Sequence, residues 1–319
     1  MGDLKRNRRL GANRLEERDF FSTPVLFLIF NRPAHTERVF TVIRAAKPPV
    51  LYIAADGPRP DASADVALTR QARQIVTQVD WPCKVRTLFR DRNLGCRDAV
   101  SSAISWFFEN EEFGIVLEDD CLPDISFFWF CEDMLLKYRH DDRVWHVGGS
   151  NPVARYAGTS STYSFSAYNR IWGWASWARA WKNYDPKISG WPGIRDSGVL
   201  HSLLGRVEVR KYSRIFEDVY RSRIDTWDYQ WFLSRLMGGI AVVPAVNLVS
   251  NIGFDETGTH TRASSHSLAN RPTGSYRRPP KHPPEVRVKK WGDFLWSFGE
   301  SKRTLMSDMR AVLKKLVRP

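Results

Sequence analysis

Three consecutive carboxylates, Glu118-Asp119-Asp120, are the most chemically suggestive feature of this 319-residue sequence. They follow the apolar stretch Phe113 to Leu117, so the pattern places them together at the end of a buried strand. Mutual repulsion makes such a cluster costly unless a cation or hydrogen bonds offset it. A divalent ion such as Mn²⁺ or Mg²⁺ binds carboxylate and phosphate oxygens together and neutralises a departing diphosphate. The alternative is structural, because the acids precede a helical pattern and could cap its N-terminus.

Other polar residues follow earlier apolar stretches in the same way. Arg32, Asp56 and Asn93 each come at or shortly after the end of one. The predicted strands are 24–30, 50–54, 83–89 and 113–117, and helical patterns lie between them at 36–46, 64–78 and 97–110. Strands that alternate with helices indicate an α/β fold with a mostly parallel central sheet. Ligands bind at the carboxyl ends of such strands, so these residues are expected to share one crevice with the acidic run.

The second part of the chain has a less regular pattern. We predict an aromatic helix to about residue 138, strands at 144–148 and 240–243, an edge strand at 160–166, a helix-like region beginning at 171–177, loops over 182–206, and helices at 208–221 and 225–236. The predicted domains are a basic extension at 1–19, a catalytic domain at 20–268, a proline-rich linker at 269–290, and a basic amphipathic helical tail at 291–319.

The segment Val116-Leu-Glu-Asp-Asp-Cys-Leu-Pro-Asp124, followed by an aromatic helix, resembles N-acetylglucosaminyltransferase I and related bacterial GT-A enzymes. Matches in the same order extend over about residues 24 to 262. The resemblance implies a Rossmann-like GT-A fold and metal-dependent transfer of a sugar from a nucleotide-diphosphate donor.

The resemblance also implies roles for individual residues. Arg32 and Asp56 stand where the family contacts the nucleotide, and Arg97 stands where it has a His near the uracil. Asp120 is the implied metal ligand, while Glu118 and Asp119 are expected to hold the sugar or ribose of the donor.

Asp228 is the candidate general base. The family's base is an Asp in a Trp-Asp helix start 16 residues before a Pro, and here Trp227-Asp228 precedes Pro244 by that distance. Inverting transfer needs one carboxylate to remove the proton of the acceptor hydroxyl during attack on the anomeric carbon. Asp225 is the alternative base, a helix cap or an acceptor contact.

Two further sets of residues are weaker candidates. Trp172 and Trp174 could stack on acceptor sugar rings, or they could be core packing residues. The stretch Gly253 to Thr261 resembles the family's flexible loop over the donor, so Thr259 and His260 could reach phosphate or metal unless they are simply solvated. Asn93 could place backbone amides near phosphate.

The net charge of +13 belongs mainly to the chain ends, since residues 262–319 hold 14 Lys or Arg and 4 Asp or Glu. The central part carries no basic stripe interleaved with aromatics, so we expect no nucleic-acid partner. The basic tail is either solvated or attracted to anionic phospholipid or a lipid-linked acceptor. No apolar run approaches the ~20 residues of a membrane span, and no secretory leader pattern is visible. We therefore expect a cytoplasmic protein, possible peripheral contact at the inner face of the membrane, and reduced cysteines.

These observations predict an inverting glycosyltransferase that uses Mn²⁺ or Mg²⁺. Its donor would be a nucleotide-diphosphate hexose or N-acetylhexosamine, most simply a UDP-sugar, and its acceptor a cell-envelope glycan or glycolipid. One alternative is a sugar nucleotidyltransferase, which would need a Gly-rich basic loop where this chain has Phe30-Asn-Arg-Pro33. The other is a non-catalytic protein that binds anionic lipid or nucleic acid through its tail.

Overall fold

A computed structural model of the chain describes residues 21–151, 160–254, 269–288 and 293. The predicted extension at 1–19, most of the predicted tail, and both Thr259 and His260 lie outside the described residues.

The secondary structure alternates regularly in the first part of the chain. The strands are β1 (Val25–Ile29), β2 (Val50–Ala55), β3 (Lys84–Phe89), β4 (Phe113–Glu118), β5 (Cys121–Pro123), β6 (Val144–Gly148), β7 (Tyr163–Ser166), β8 (Trp174–Trp177), β9 (Ile240–Pro244) and β10 (Val249–Asn251). The helices are α1 (Pro33–Ala46), α2 (Ser63–Val76), α3 (Gly95–Phe108), α4 (Ser126–Lys137), α5 (Ala178–Trp181), α6 (Trp191–Ser197), α7 (Leu200–Leu203), α8 (Arg206–Tyr220) and α9 (Asp228–Gly238).

Eight strands form the main sheet, in the order β3-β2-β1-β4-β8-β6-β9-β7. The first four run parallel, β8 lies antiparallel to both of its neighbours, and β6 and β9 are parallel. The predicted edge strand is β7, which pairs with β9 in the antiparallel sense at the end of the sheet. The α/β class with a mostly parallel, helix-flanked sheet is confirmed, and the topology is consistent with a Rossmann-like GT-A fold.

Both faces of the sheet are covered by apolar side chains. Along β1, Val25, Phe27 and Ile29 face a core that includes residues of α1, α2 and α4. Leu26 and Leu28 face a second core built with α3 and α9. A strand buried on both faces has no polar alternation, which is why β1 reads as one continuous apolar run.

Two predictions of local structure were wrong, and one element was not predicted. The segment 171–177 is not helical, because Trp174–Trp177 is the strand β8 between β4 and β6, and the short helix α5 begins only at Ala178. Strand β8 is buried throughout, and a short buried strand has no periodicity that separates it from a helix. The loop at 182–206 contains the short helices α6 and α7. The small antiparallel pair β5–β10, which begins one residue after Asp120, was not predicted.

The proline-rich segment 269–288 packs against α4. Arg278 pairs with Asp133 at 2.7 Å and stacks 4.4 Å above the ring centre of Trp129. The buried Tyr276 donates its hydroxyl to Asp133 at 2.6 Å. Among the described residues, no helix combines the length and apolar character that crossing a bilayer requires.

Candidate active site

A cavity of about 710 Å³ opens at the carboxyl ends of β1, β2 and β4. Nine of the predicted site residues line it: Arg32, Asp56, Asn93, Glu118, Asp119, Asp120, Trp172, Asp225 and Asp228. The first six come from strand ends and the loops that follow them. Trp172 and Asp225 come from the loops before β8 and α9, and Asp228 is the first residue of α9. The parallel sheet therefore collects residues from distant parts of the sequence in one crevice.

The acidic run carries more negative charge than its surroundings offset. Burial raises the pKa of Glu118 well above its ordinary value, and the charges of Asp120, Asp119 and Asp228 add to the increase. Burial and then Asp120 raise the pKa of Asp119 to about 7. Arg32 opposes both shifts without cancelling them. The site thus favours binding of a proton or another cation near these carboxylates.

Asp120 is held in place from several directions. Its Oδ2 accepts a hydrogen bond from Nη1 of Arg32 at 3.1 Å, and its Oδ1 accepts one from Nδ2 of Asn251 at 3.4 Å. Gly253 lies so close that a Cβ there would be 2.3 Å from Oδ2 of Asp120 and 2.9 Å from Nη1 of Arg32. Only glycine lets the backbone after β10 approach this ion pair without displacing it.

Asp56 and Asn93 form a second fixed unit. Asn93 donates from Nδ2 to Oδ2 of Asp56 and to the carbonyl oxygen of Gly57, both at 2.9 Å. The backbone N–H groups of Gly57 and Leu94 also donate to the Asp56 carboxylate, at 2.9 and 3.1 Å. These bonds fix the loop after β2 against the loop before α3, so both present their polar atoms to the cavity as one wall.

Asp225 lies just before α9 but is hydrogen-bonded to a different helix, α3. Its carboxylate accepts hydrogen bonds from the backbone N–H groups of Cys96 at 3.0 Å and Arg97 at 3.1 Å, in the first turn of α3. The first N–H groups of a helix lack intrahelical partners and attract negative charge. Asp225 therefore ties the loop before α9 to the start of α3, which makes it a poor candidate for the base.

Asp228 is the first residue of α9 and faces the cavity. Its Oδ1 accepts a hydrogen bond from the hydroxyl of Thr226, which orients the carboxylate. The preceding Trp227 is 2% exposed and stacks on Trp174 with 5.8 Å between ring centres. The start of α9 is thus anchored in a rigid aromatic core, while its carboxylate stays at the cavity wall.

Trp174 and Arg97 do not lie where a ligand in this cavity would meet their side chains. Trp174 is fully buried against Trp227 and His146, so the prediction that it binds acceptor is wrong. Arg97 does not line the cavity: its guanidinium pairs with Asp98 at 2.8 Å, and its backbone N–H donates to Asp225, which does line it. Trp172 lines the cavity and packs edge-on against Phe254.

Arg59 lines the cavity and was missed by sequence reasoning. Its Nε and Nη2 donate to the buried Asp65 at 2.7 and 3.0 Å, and its guanidinium lies 5.7 Å from the ring centre of Phe30. Asn31 donates to the same carboxylate at 2.8 Å. A fixed, partly exposed guanidinium suits an anionic or planar ligand. The sequence offered one signal for Arg59, namely its position three residues after Asp56 at the same strand end.

The chain matches no protein-family model and no curated protein sequence. Among solved structures, HddC from Yersinia pseudotuberculosis aligns over 51% of this chain and 80% of its own, with 10% identity and a TM-score of 0.32. Mouse xyloside xylosyltransferase 1 aligns over 68% of this chain and 82% of its own, with 13% identity and a TM-score of 0.32. A UDP-glucose pyrophosphorylase complexed with UDP-glucose aligns over 40% of this chain and 63% of its own, with 12% identity and a TM-score of 0.24. The functional interpretation of this chain therefore rests on its topology and its site geometry.

Proposed function

We propose that this chain is an inverting glycosyltransferase that moves a sugar from a nucleotide-diphosphate donor to an acceptor hydroxyl. The observation that carries the proposal is the single cavity in which the acidic run, Arg32, the Asp56–Asn93 unit and Asp228 meet. Its volume of about 710 Å³ lies within the range of small-molecule and cofactor sites. A UDP-sugar is the proposed donor class, in line with the resemblance to N-acetylglucosaminyltransferase I.

The proposed chemistry needs one base and one stabilised leaving group. Asp228 takes the proton of the acceptor hydroxyl as that oxygen forms a bond to the anomeric carbon of the donor. The bond from the anomeric carbon to the diphosphate oxygen breaks at the same time, and the nucleoside diphosphate leaves with the electron pair. Thr226 orients the base through its hydrogen bond to Oδ1 of Asp228.

Donor binding is assigned to the parallel half of the sheet. Arg32 and Arg59 supply the positive charge that a diphosphate requires, and both guanidinium groups are already fixed by carboxylates. Glu118 and Asp119 are proposed to accept hydrogen bonds from sugar or ribose hydroxyls. Trp172, which lines the same cavity, remains a proposed acceptor contact.

A divalent cation, Mn²⁺ or Mg²⁺, is proposed to bind at Asp120. Among the residues that the structure describes, no group of three or more His, Cys, Asp or Glu is arranged as a self-sufficient metal site. The donor set nevertheless fits a hard cation that takes its other ligands from the diphosphate. The side chain of Asp120 is 23% exposed and offers carboxylate oxygens, and the raised pKa values of Glu118 and Asp119 beside it mark an environment that favours a cation. When bound, such an ion would neutralise charge on the leaving diphosphate.

The loop after β1 favours a glycosyltransferase over a sugar nucleotidyltransferase. β1 ends at Ile29 and α1 begins at Pro33, so three residues connect them. A nucleotidyltransferase is expected to wrap the triphosphate in a Gly-rich basic loop at this point, and this connection contains no glycine. The proposed acceptor is a glycan or glycolipid of the cell envelope.

A thermal-shift screen of nucleotide sugars with and without Mn²⁺ tests the proposal, followed by an assay for nucleoside diphosphate release. We expect one donor to raise the melting temperature only when the cation is present, because ligands that bind the folded state stabilise it. Asp120→Ala should abolish that shift, whereas Asp142→Ala, at a side chain 94% exposed, should retain it.

A cation-dependent shift that persists in Asp120→Ala would contradict the metal assignment. Consumption of a sugar 1-phosphate together with a nucleoside triphosphate would identify a nucleotidyltransferase instead.

A further inference from the structure

The outer face of helix α8 is basic over its first three turns. Arg206, Arg210 and Arg214 follow one another at four-residue intervals, so they form one exposed stripe, and the exposed Lys211 lies beside it. The opposite face packs inward through Val209, Tyr212, Phe216 and Val219. Between residues 206 and 216 the single acidic side chain, Glu208, is 8% exposed. This part of α8 therefore presents only positive charge to the solvent.

The basic stripe lacks the compensation found at the other end of the helix. Arg221 pairs with Glu217 at 2.6 Å, and Arg223 pairs with Asp218 at 3.1 Å. Within the described part of the chain, by contrast, no ion pair involves Arg206, Arg210 or Arg214. Three uncompensated guanidinium groups on one face create a local field that favours an anionic surface.

Two aliphatic side chains near the start of α8 are exposed. Val207, on the same face of α8, is 67% exposed, and Leu203, at the end of α7, is 37% exposed. Their exposure to water costs free energy that an interfacial membrane environment would recover. Basic residues flanking exposed aliphatic ones are the pattern of a surface that lies in the head-group region of a bilayer.

The position of α8 connects this face to the cavity. The helix ends at Tyr220, and the loop that follows contributes Ile224, Asp225 and Thr226 to the cavity wall. α8 has 15 residues, so it extends roughly 22 Å at 1.5 Å per residue. A bilayer bound along α8 would therefore lie within about one helix length of that wall.

We propose that the outer face of α8, together with Leu203, is a docking surface for a bilayer that contains anionic phospholipid. A lipid surface is favoured over nucleic acid because a phosphate backbone offers no apolar layer to Leu203 and Val207. The residues of this surface lie between 203 and 214, so they form a different segment of the sequence from the predicted basic tail at 291–319. Delivery of a lipid-linked acceptor to the cavity wall rests on the proposed function, whereas docking itself does not.

Co-sedimentation of the full chain with phosphatidylcholine vesicles, with and without phosphatidylglycerol, tests the proposal. We expect binding to the phosphatidylglycerol vesicles and roughly 100-fold weaker partitioning for Arg206→Gln/Arg210→Gln/Arg214→Gln, at about fivefold per charge. The matched triple Arg→Lys variant should bind like the native chain. So should Arg38→Gln/Lys84→Gln/Lys182→Gln, which removes the same charge from exposed positions outside α6–α9.

The aliphatic pair gives a second, independent readout. Leu203→Ser/Val207→Ser should weaken vesicle binding about tenfold because it removes the apolar part of the contact. Undiminished vesicle binding by the Arg→Gln triple variant would overturn the proposal. An unstructured RNA oligonucleotide that binds as tightly as the vesicles, with no effect of the serine pair on either, would also overturn it.

Nucleoside diphosphate release measured without vesicles reports on the proposed function alone. Loss of docking and failure of the glycosyltransferase assignment are therefore distinguishable.

Discussion

In the parallel half of the sheet, polar side chains leave the core directly after each strand, at Arg32, Asp56 and the acidic run that begins at Glu118. In the half formed by β8, β6, β9 and β7, the strands and helix α9 bury aromatic residues, among them Trp174 and Trp231. One half carries the proposed donor site on its strand-end loops. The other is a rigid support that presents Asp228 from a helix start. The difference teaches that the proposed donor contacts lie on strand-end loops and the candidate base at a helix start, so single substitutions can test them separately.

The largest expected effect is on the base. Asp228→Asn should lower the rate of sugar transfer by about 10²- to 10⁴-fold while donor affinity stays close to native, because the amide cannot accept the acceptor proton. Transfer kinetics at saturating donor, together with calorimetric donor binding, measure the two quantities. Asp225→Asn is the matched control, and we expect it to retain most of the transfer rate. A reversed order of the two variants would move the base role to Asp225.

Gly253→Ala should weaken donor binding by roughly tenfold to a hundredfold, the cost of disturbing a charged hydrogen bond. The added methyl group would lie 2.3 Å from Asp120 and would push this carboxylate away from Arg32. Donor titration by calorimetry measures the change. At Gly193 a Cβ meets no atom within 4 Å, so Gly193→Ala should leave donor affinity unchanged. Native donor affinity in Gly253→Ala would show that the Arg32–Asp120 pair has no part in donor binding.

Arg59→Gln should reduce donor affinity about tenfold, since one charge-assisted contact to the diphosphate or to the nucleobase of the donor would be lost. Arg59→Lys should recover part of that loss because it keeps the charge but not the bidentate fork on Asp65. Arg38→Gln removes the same charge from an exposed position on α1 and should have no effect. Equal affinities for all three variants would remove Arg59 from the donor site.

The smallest expected effect concerns the supporting half and its pH dependence. His146 is fully buried between Trp174 and Trp231, and burial lowers its pKa to about 3. Because Trp231 can only donate its indole N–H, Nδ1 of His146 is the acceptor and Nε2 donates to the carbonyl oxygen of Arg170 at 2.9 Å.

The imidazole of His146 binds a proton at higher pH in the unfolded chain than in the folded chain. His146 therefore contributes stability at pH 7 that is lost as the pH falls from about 6.5 towards 3, at up to ~1.4 kcal/mol per pH unit. Urea unfolding at pH 7 and at a mildly acidic pH measures the slope. His146→Phe should flatten it, whereas His201→Gln at an exposed position should not. An unchanged slope in His146→Phe would show that other groups dominate the acid sensitivity.

Much of the parallel half could be predicted from the sequence. The boundaries of β1, β2 and β4 lie within one residue of the predicted ones, because continuous apolar runs bounded by polar or Pro-containing segments define buried strands. The shared crevice followed from the same pattern, since the carboxyl ends of parallel strands meet at one edge. The antiparallel half was harder, and β8 was predicted as helix because a fully buried strand has no alternation.

The sequence by itself determined the α/β class and brought Arg32, Asp56 and the acidic run to one edge, because strand patterns are local and parallel pairing then fixes their ends. Only the tertiary structure distinguishes the surroundings of Asp225 from those of Asp228, which lie three residues apart at the start of α9. Asp225 is hydrogen-bonded to Cys96 at the start of α3, 129 residues away in sequence, whereas the carboxylate of Asp228 is oriented by Thr226, two residues before it. The burial of Trp174 and the closeness of Gly253 to Asp120 were likewise decided only by the tertiary structure. Such contacts depend on which distant element packs against a residue, and no local pattern encodes that.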